Sequence, residues 1–248
     1  MSATKIRTDL LLATSLELWH KLAGYVVLVL LARHLAKAAM GDLLLALAVS
    51  SFGAVVTELG TSRLLVREIA QGAEATLARL GEVLALRVPL AAAVYAALVG
   101  GTFALRPALG PVVALAAAAV LLGDLYHSFG AVFVGRREVW LRLATGMVGS
   151  LVLIPLVVLA LRLGAGLGGV LVCYVAAAAV SLAVAAAAVR ARVGPVRVAW
   201  GASAAWAAAQ PAFPFFLMTA LGLAHFKADT VLLYLLASPA TVATYEAA

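Results

Sequence analysis

Apolar residues run along this chain in long blocks, and charged residues gather in the short breaks between them. Seven blocks are about 20 residues long, the length an α-helix needs to cross a bilayer core. They cover residues 10–32, 40–59, 83–105, 110–134, 143–161, 166–189 and 208–236. The breaks carry turn signals: residues 37–41, the polar stretch 60–81, Arg106-Pro107, residues 135–138, 162–164 and 190–195. Inside the blocks nothing alternates with period two, and Ala and Leu dominate, so the pattern predicts helices and not the strands of a barrel. The first block is too long for the apolar core of a cleaved signal and carries Glu17, His20 and Lys21, so it reads as a membrane span. The expected fold class is therefore an all-α integral membrane protein with about seven transmembrane helices.

Composition supports this reading and excludes others. The 248 residues are 65% hydrophobic and 12% charged, with a mean hydropathy of +1.11. A soluble domain has about 45–50% apolar and about 25% charged residues. A soluble globule, a disordered chain and a nucleic-acid-binding protein are all excluded, because each needs more charge. The net charge of +7 finds its explanation in topology. With the N-terminus inside, eleven cations fall on inside segments (Lys5, Arg7, Arg63, Arg67, Arg79, Arg136, Arg137, Arg142, Arg190, Arg192, Arg197). Four fall outside (Arg33, Lys37, Arg106, Arg162), and Lys21, Arg87 and Lys227 lie within spans. Positive charge favours the cytoplasmic side, so the bias predicts a cytoplasmic N-terminus, and Trp140 and Trp200 sit near inside cations as interfacial aromatics should. After the seventh span, residues 237–248 read as an outer turn and the start of an eighth helix, so the chain reads as the front part of a longer protein.

Two features suggest chemistry that the pattern does not support. Gly164-Ala-Gly166-Leu-Gly168-Gly169 fits the dinucleotide fingerprint, but no strand precedes it and no acidic residue lies between Glu138 and Asp229. Close helix packing through small residues is the better expectation. The single Cys173, in an apolar run, can form neither an internal disulfide nor a metal cluster and is expected to be a small buried or lipid-facing residue. No Ser-His-Asp, Cys-His or His-x-x-x-His arrangement appears in the spans, so no catalytic residue, metal or cofactor is expected, and the protein is not expected to be an enzyme.

Polar groups at depth are costly and need reasons. Glu17, His20 and Lys21 share a face of the first span, with Glu17 and Lys21 four apart in the favourable order. That face suits a transport path, or a neutralised pair that fixes packing. His225, Lys227 and Asp229 form a second set in the seventh span, behind Pro211 and Pro214, which should bend the helix. His225 and Asp229 share a face, and Lys227 points away from it. Asp124 and His127 share a face of the fourth span and could relay protons or simply bond to each other, the structural role being favoured. Arg87, a few residues inside the third span, is expected to snorkel to the cytoplasm.

The order of these features resembles the polysaccharide-transporter family, the O-antigen and lipid-linked oligosaccharide flippases of the multidrug and oligosaccharidyl-lipid exporter superfamily. The likeness rests on residues 31–43 (Leu-Ala-Arg33-His-Leu-Ala-Lys-Ala-Ala-Met-Gly41-Asp-Leu) and 58–70 (Glu58-Leu-Gly60-Thr-Ser-Arg63-Leu-Leu-Val-Arg67-Glu68-Ile-Ala). Gly135-Arg136-Arg137, the Lys227-Ala-Asp229 segment and Val242-Ala-Thr-Tyr245 extend it over essentially the whole chain. Ala36 stands where the family usually has glycine. The resemblance implies two six-helix lobes, with residues 1–198 as the first and 199–248 as the start of the second. The similar placing of Met40-Gly-Asp-Leu43 and Val242-Ala-Thr-Tyr245, about 200 residues apart, fits such a repeat. It also implies that spans one and seven line a central cavity. Lys21 and Lys227 would there face a pyrophosphate, with Glu17, His20 and Asp229 carrying a coupling ion or tuning the lysines.

These readings together predict a multi-pass flippase of a bacterial or archaeal plasma membrane. Its cargo would be an undecaprenyl-pyrophosphate-linked oligosaccharide, moved by alternating access for surface polysaccharide or lipopolysaccharide synthesis. The expected partners are that lipid-linked oligosaccharide, the bilayer and polysaccharide-assembly proteins, with no nucleic acid. A cation-coupled multidrug exporter of the same fold, a non-transporting scaffold or inactive fragment, and a membrane-embedded enzyme are the competing readings.

Overall fold

A computed structural model describes the backbone of residues 3–72 and 76–236, and the side chains of residues 11–72 and 76–222. Among the described residues every regular element is helical: α1 (Ala3–His34), α2 (Lys37–Glu58), α3 (Thr61–Gln71), α4 (Thr76–Leu105), α5 (Gly110–Gly135), α6 (Val139–Arg162), α7 (Leu167–Arg192) and α8 (Ala202–Leu236). A 3-10 turn at Pro107–Leu109 joins α4 to α5. Seven segments are long and apolar enough to span a membrane, α2 and α3 together forming the second. The expectation of seven spans and an all-helical chain therefore holds. The expected eighth helix and the motif around Tyr245 lie outside the described residues.

The helix α5 is central, packing against α7, α2, α4 and α3, while α1 lies on α6 and α8 lies on α2, α3 and α4. One buried cluster, toward the end of the bundle that holds the N-terminus, includes Ile69, Leu80, Val132, Phe133 and Val189. A second, toward the opposite end, includes Leu31, Leu43, Val157, Val170 and Leu171. Large side chains such as Leu22, Tyr25, Leu151 and Val172 are exposed. Apolar surface of that extent suits a bilayer, where exposure of a leucine carries no hydrophobic penalty.

The polar stretch 60–81 differs from the sequence expectation. It is not a plain connection but holds the amphipathic helix α3 and the first turns of α4. In α3, Leu64, Leu65 and Ile69 are buried while Arg63 and Arg67 are exposed, the spacing of one helical face. The window of polarity hid a period of 3.6 that the apolar blocks had not prepared.

Between α2 and α3 two consecutive residues are left-handed, Leu59 at φ 46° and Gly60 at φ 71°. A side chain at position 60 would suffer twice. A Cβ there would lie 2.6 Å from the backbone nitrogen of Phe216 and from Phe215 Cβ, both on α8, and left-handed backbone itself costs roughly 1–2 kcal/mol without glycine. Gly60→Ala is accordingly expected to destabilise by about 2 kcal/mol or more, read as a lower melting midpoint in detergent. Gly100→Ala, which meets nothing within 4 Å in the C-terminal part of α4, should raise the midpoint or leave it unchanged.

The glycine motif at 164–169 serves a turn and not helix packing, contrary to expectation. Gly164 is left-handed at the end of α6, Gly166 precedes α7, and neither they nor Gly168 have anything within 4 Å of a Cβ position. Cys173 is buried, with its thiol bonded to the Gly169 carbonyl at 3.2 Å.

Candidate functional site

The polar side chains that the sequence placed at depth separate into two structures, one open and one closed. The open one is a cavity of about 530 Å³ walled by α1, α2, α5, α6 and α7. Glu17 and His20 enter it from α1, Tyr126 and His127 from α5, and Arg142 from α6. A second cavity of about 520 Å³ lies under α2 and α3 and is lined by Glu58, Ser62, Arg63, His127 and Arg142. His127 and Arg142 belong to both, so the two spaces meet at this pair.

Local structure explains the meeting. The tight turn after Gly135, closed by bonds from Arg137 to Val134 and from Glu138 to Phe133, returns α6 antiparallel to α5. Arg142 then stands one turn into α6, beside residues about two turns back along α5. Its Nη1 rests on the bare Cα of Gly130, where any Cβ would collide with the guanidinium. Among the described residues, no hydrogen bond or ion pair engages the Arg142 guanidinium. The hydroxyl of Thr145 instead caps the backbone, donating to the Leu141 carbonyl at 2.9 Å. A cation held against backbone, without a carboxylate of its own, is a ready partner for an anion.

The closed structure corrects one expectation. Arg87 does not snorkel: it is fully buried and ion-paired with Asp124. Its Nη2 also donates to the Asp124 carbonyl at 3.0 Å, and its Nη1 to Ser128 at 2.7 Å and Ser62 at 2.9 Å. Thr57 donates to the other Asp124 oxygen at 2.7 Å. The physical reason is that α4 begins at Thr76, so Arg87 lies roughly 16 Å along the helix, too deep to reach the interface. Asp124 is thereby fully engaged, and no hydrogen bond joins it to His127, whose ring instead packs edge-on against Tyr126 at 5.4 Å.

The expected site residues are thus divided. Glu17, His20 and His127 line the cavity, whereas Asp124 sits in the buried network. Lys21 is exposed on α1, does not line either cavity, and makes no ion pair with Glu17 among the described residues. The side chains of His225, Lys227 and Asp229 lie outside the described residues, so their place in a cavity is not defined. No described α8 residue lines either cavity. Arg142 and Arg63 were read from sequence only as topological charges. The structure starts α6 at Val139, ahead of the expected span at 143, and this brings Arg142 inside the helix.

The scan against family models then bears on the whole arrangement. A model described as polysaccharide biosynthesis protein matches residues 6–248. The chain belongs to the polysaccharide biosynthesis protein family. No curated protein and no solved structure matches it. Membership agrees with the resemblance drawn from the motifs at 31–43 and 58–70, and it associates this multi-pass helical chain with the synthesis or export of polysaccharide.

Proposed function

We propose that this polysaccharide biosynthesis family member is a flippase that carries a polyprenyl-pyrophosphate-linked oligosaccharide across the plasma membrane by alternating access. The observation that supports this most is Arg142, held at the junction of two cavities with no hydrogen bond or ion pair to its guanidinium among the described residues. In a low-dielectric space a fixed guanidinium attracts a pyrophosphate strongly, and its planar fork can engage two oxygens at once. Arg63 adds a second cation on the side of the N-terminal end. Glu17, His20 and His127 offer hydrogen bonds to sugar hydroxyls or exchangeable protons. Lys21, Lys227 and Asp229 would join the site only if the second half of the fold brings them there.

Expression in a bacterial strain lacking its lipid-linked oligosaccharide flippase tests the proposal, using the protein as its gene encodes it. Restored surface polysaccharide is the expected result, and normal membrane levels without restoration would contradict it. One observation favours a second reading. Glu17 and Glu58 both line the cavities without an ion pair among the described residues, as a cation-coupled drug exporter would require. Resistance to cationic dyes without polysaccharide restoration would select that reading.

The orientation is testable separately. With the N-terminus cytoplasmic, a cysteine at Arg67 should react with an impermeant maleimide only in inverted vesicles, and one at Leu105 only in intact cells. The reverse pattern would overturn the charge-based topology.

A further inference from the structure

The buried network touches both sides of the left-handed break in the second span. Thr57, two residues before Leu59, donates to Asp124, and Ser62, two residues after Gly60, accepts from Arg87. Asp124 and Arg87 come from α5 and α4, so a single ion pair ties the end of α2 and the start of α3 to two other spans. The opposite side of the break is covered by α8, whose Ala212 carbonyl and Phe216 nitrogen approach Gly60 closely. The break carries Glu58 on one side and Ser62 and Arg63 on the other, and all three line the lower cavity.

The Arg87 guanidinium donates to two serine hydroxyls and to both the carboxylate and the carbonyl of Asp124, and among the described residues its Nε has no partner. A purely structural pair could be satisfied within α4 and α5 alone, through Asp124 and Ser128. The bonds to Thr57 and Ser62 instead reach both sides of the break, beside a local bond from the Thr61 hydroxyl to the Glu58 carbonyl at 2.6 Å. The first backbone bond of α3, from the Leu64 amide to the Gly60 carbonyl, is a long 3.3 Å. Without the bonds to Thr57 and Ser62, the local Thr61–Glu58 bond and the contact with α8 would be left to set the angle between α2 and α3, and with it the place of the cavity's polar groups.

We infer that the Arg87–Asp124 pair is a latch for the α2–α3 break, which makes Arg87, Asp124, Thr57 and Ser62 positioning residues for the cavity. The latch sets where Arg63 and Glu58 stand, and the contact of α8 with Gly60 places the break where movement of α8 would be felt. The inference concerns the same cavity as the functional proposal, but its test reads the position of α3 and not transport.

Two serines accept from the same Arg87 nitrogen, and only one belongs to the arm. Spin labels at Arg67 on α3 and Arg190 on α7 report the arm by pulsed electron resonance in lipid nanodiscs, in a Cys173→Ala background. Ser62→Ala should broaden or shift the distance distribution, Ser62→Thr should restore it, and Ser128→Ala should leave it as in the parent. An unchanged distribution in Ser62→Ala, or an equal change in Ser128→Ala, would overturn the latch. Failure of the parent to flip any lipid-linked saccharide would sink the functional proposal and leave this result standing.

Discussion

Replacing Arg142 with alanine is expected to weaken binding of a polyprenyl-pyrophosphate lipid by about 10- to 100-fold. That range follows from a charged hydrogen bond worth roughly 1.5–3 kcal/mol, with tenfold in affinity for every 1.4 kcal/mol. The guanidinium rests on Gly130 and pairs with no carboxylate among the described residues, so its removal strands no described partner charge. Membrane levels should therefore stay close to those of the parent, which separates loss of binding from loss of fold. Arg142→Lys keeps the charge and loses the fork, and should recover only part of the affinity. Titration of the purified protein with undecaprenyl pyrophosphate reads the parent and both variants. Equal affinity in Arg142→Ala and the parent would remove Arg142 from the site. Lys21→Ala is expected to cost less, because Lys21 lines neither cavity.

The largest expected loss of stability comes from the other cluster. Asp124→Ala would leave Arg87 fully buried among α4, α5 and α3 with only hydroxyls and a carbonyl for partners. Breaking a buried pair on one side costs about 3–5 kcal/mol, far more than the net value of the intact pair, because the survivor's charge stays desolvated. Arg87→Met should be nearly as damaging, since it strands the carboxylate. The double variant Arg87→Met/Asp124→Leu removes both charges and should recover much of the loss. Melting in detergent, followed by intrinsic tryptophan fluorescence, gives the ranking. A single variant as stable as the parent would show that the pair is not buried as described.

Much of this architecture was legible in the sequence, for an identifiable reason. In a bilayer every span must satisfy its backbone internally, so length and apolarity alone report a helix. The seven blocks and their order follow from that rule. Helix α3 was hidden because its buried face, Leu64, Leu65 and Ile69, is only three residues among charges. The network was hidden because the third span was taken to start near residue 83, which placed Arg87 by the interface. With α4 starting at Thr76, Arg87 stands eleven residues from one helix end, and Asp124 stands eleven from the matching end of α5. Two opposite charges at equal depth on consecutive antiparallel spans would then have predicted their own pairing. Glu17 and Lys21 illustrate the opposite error. Spacing of four put them on one face of α1, but the cavity admits Glu17 and His20 and passes Lys21 by. Which side of a helix meets a cavity depends on how α1 rolls against α6, and an isolated helix pattern does not contain that angle. Arg142 was missed for a related reason. A cation one turn inside a span looks the same in sequence whether it faces headgroups or the interior.

The central claim is that this chain moves a lipid-linked saccharide through the cavity that Arg142 guards. The most direct measurement is flipping of a labelled undecaprenyl-pyrophosphate-linked oligosaccharide in proteoliposomes, read by access of an external glycosidase to the sugar. The protein as its gene encodes it should expose the inner-leaflet pool, and Arg142→Ala should leave that pool protected. An inner pool that stays protected with the parent protein, or is exposed equally by Arg142→Ala, would contradict the account.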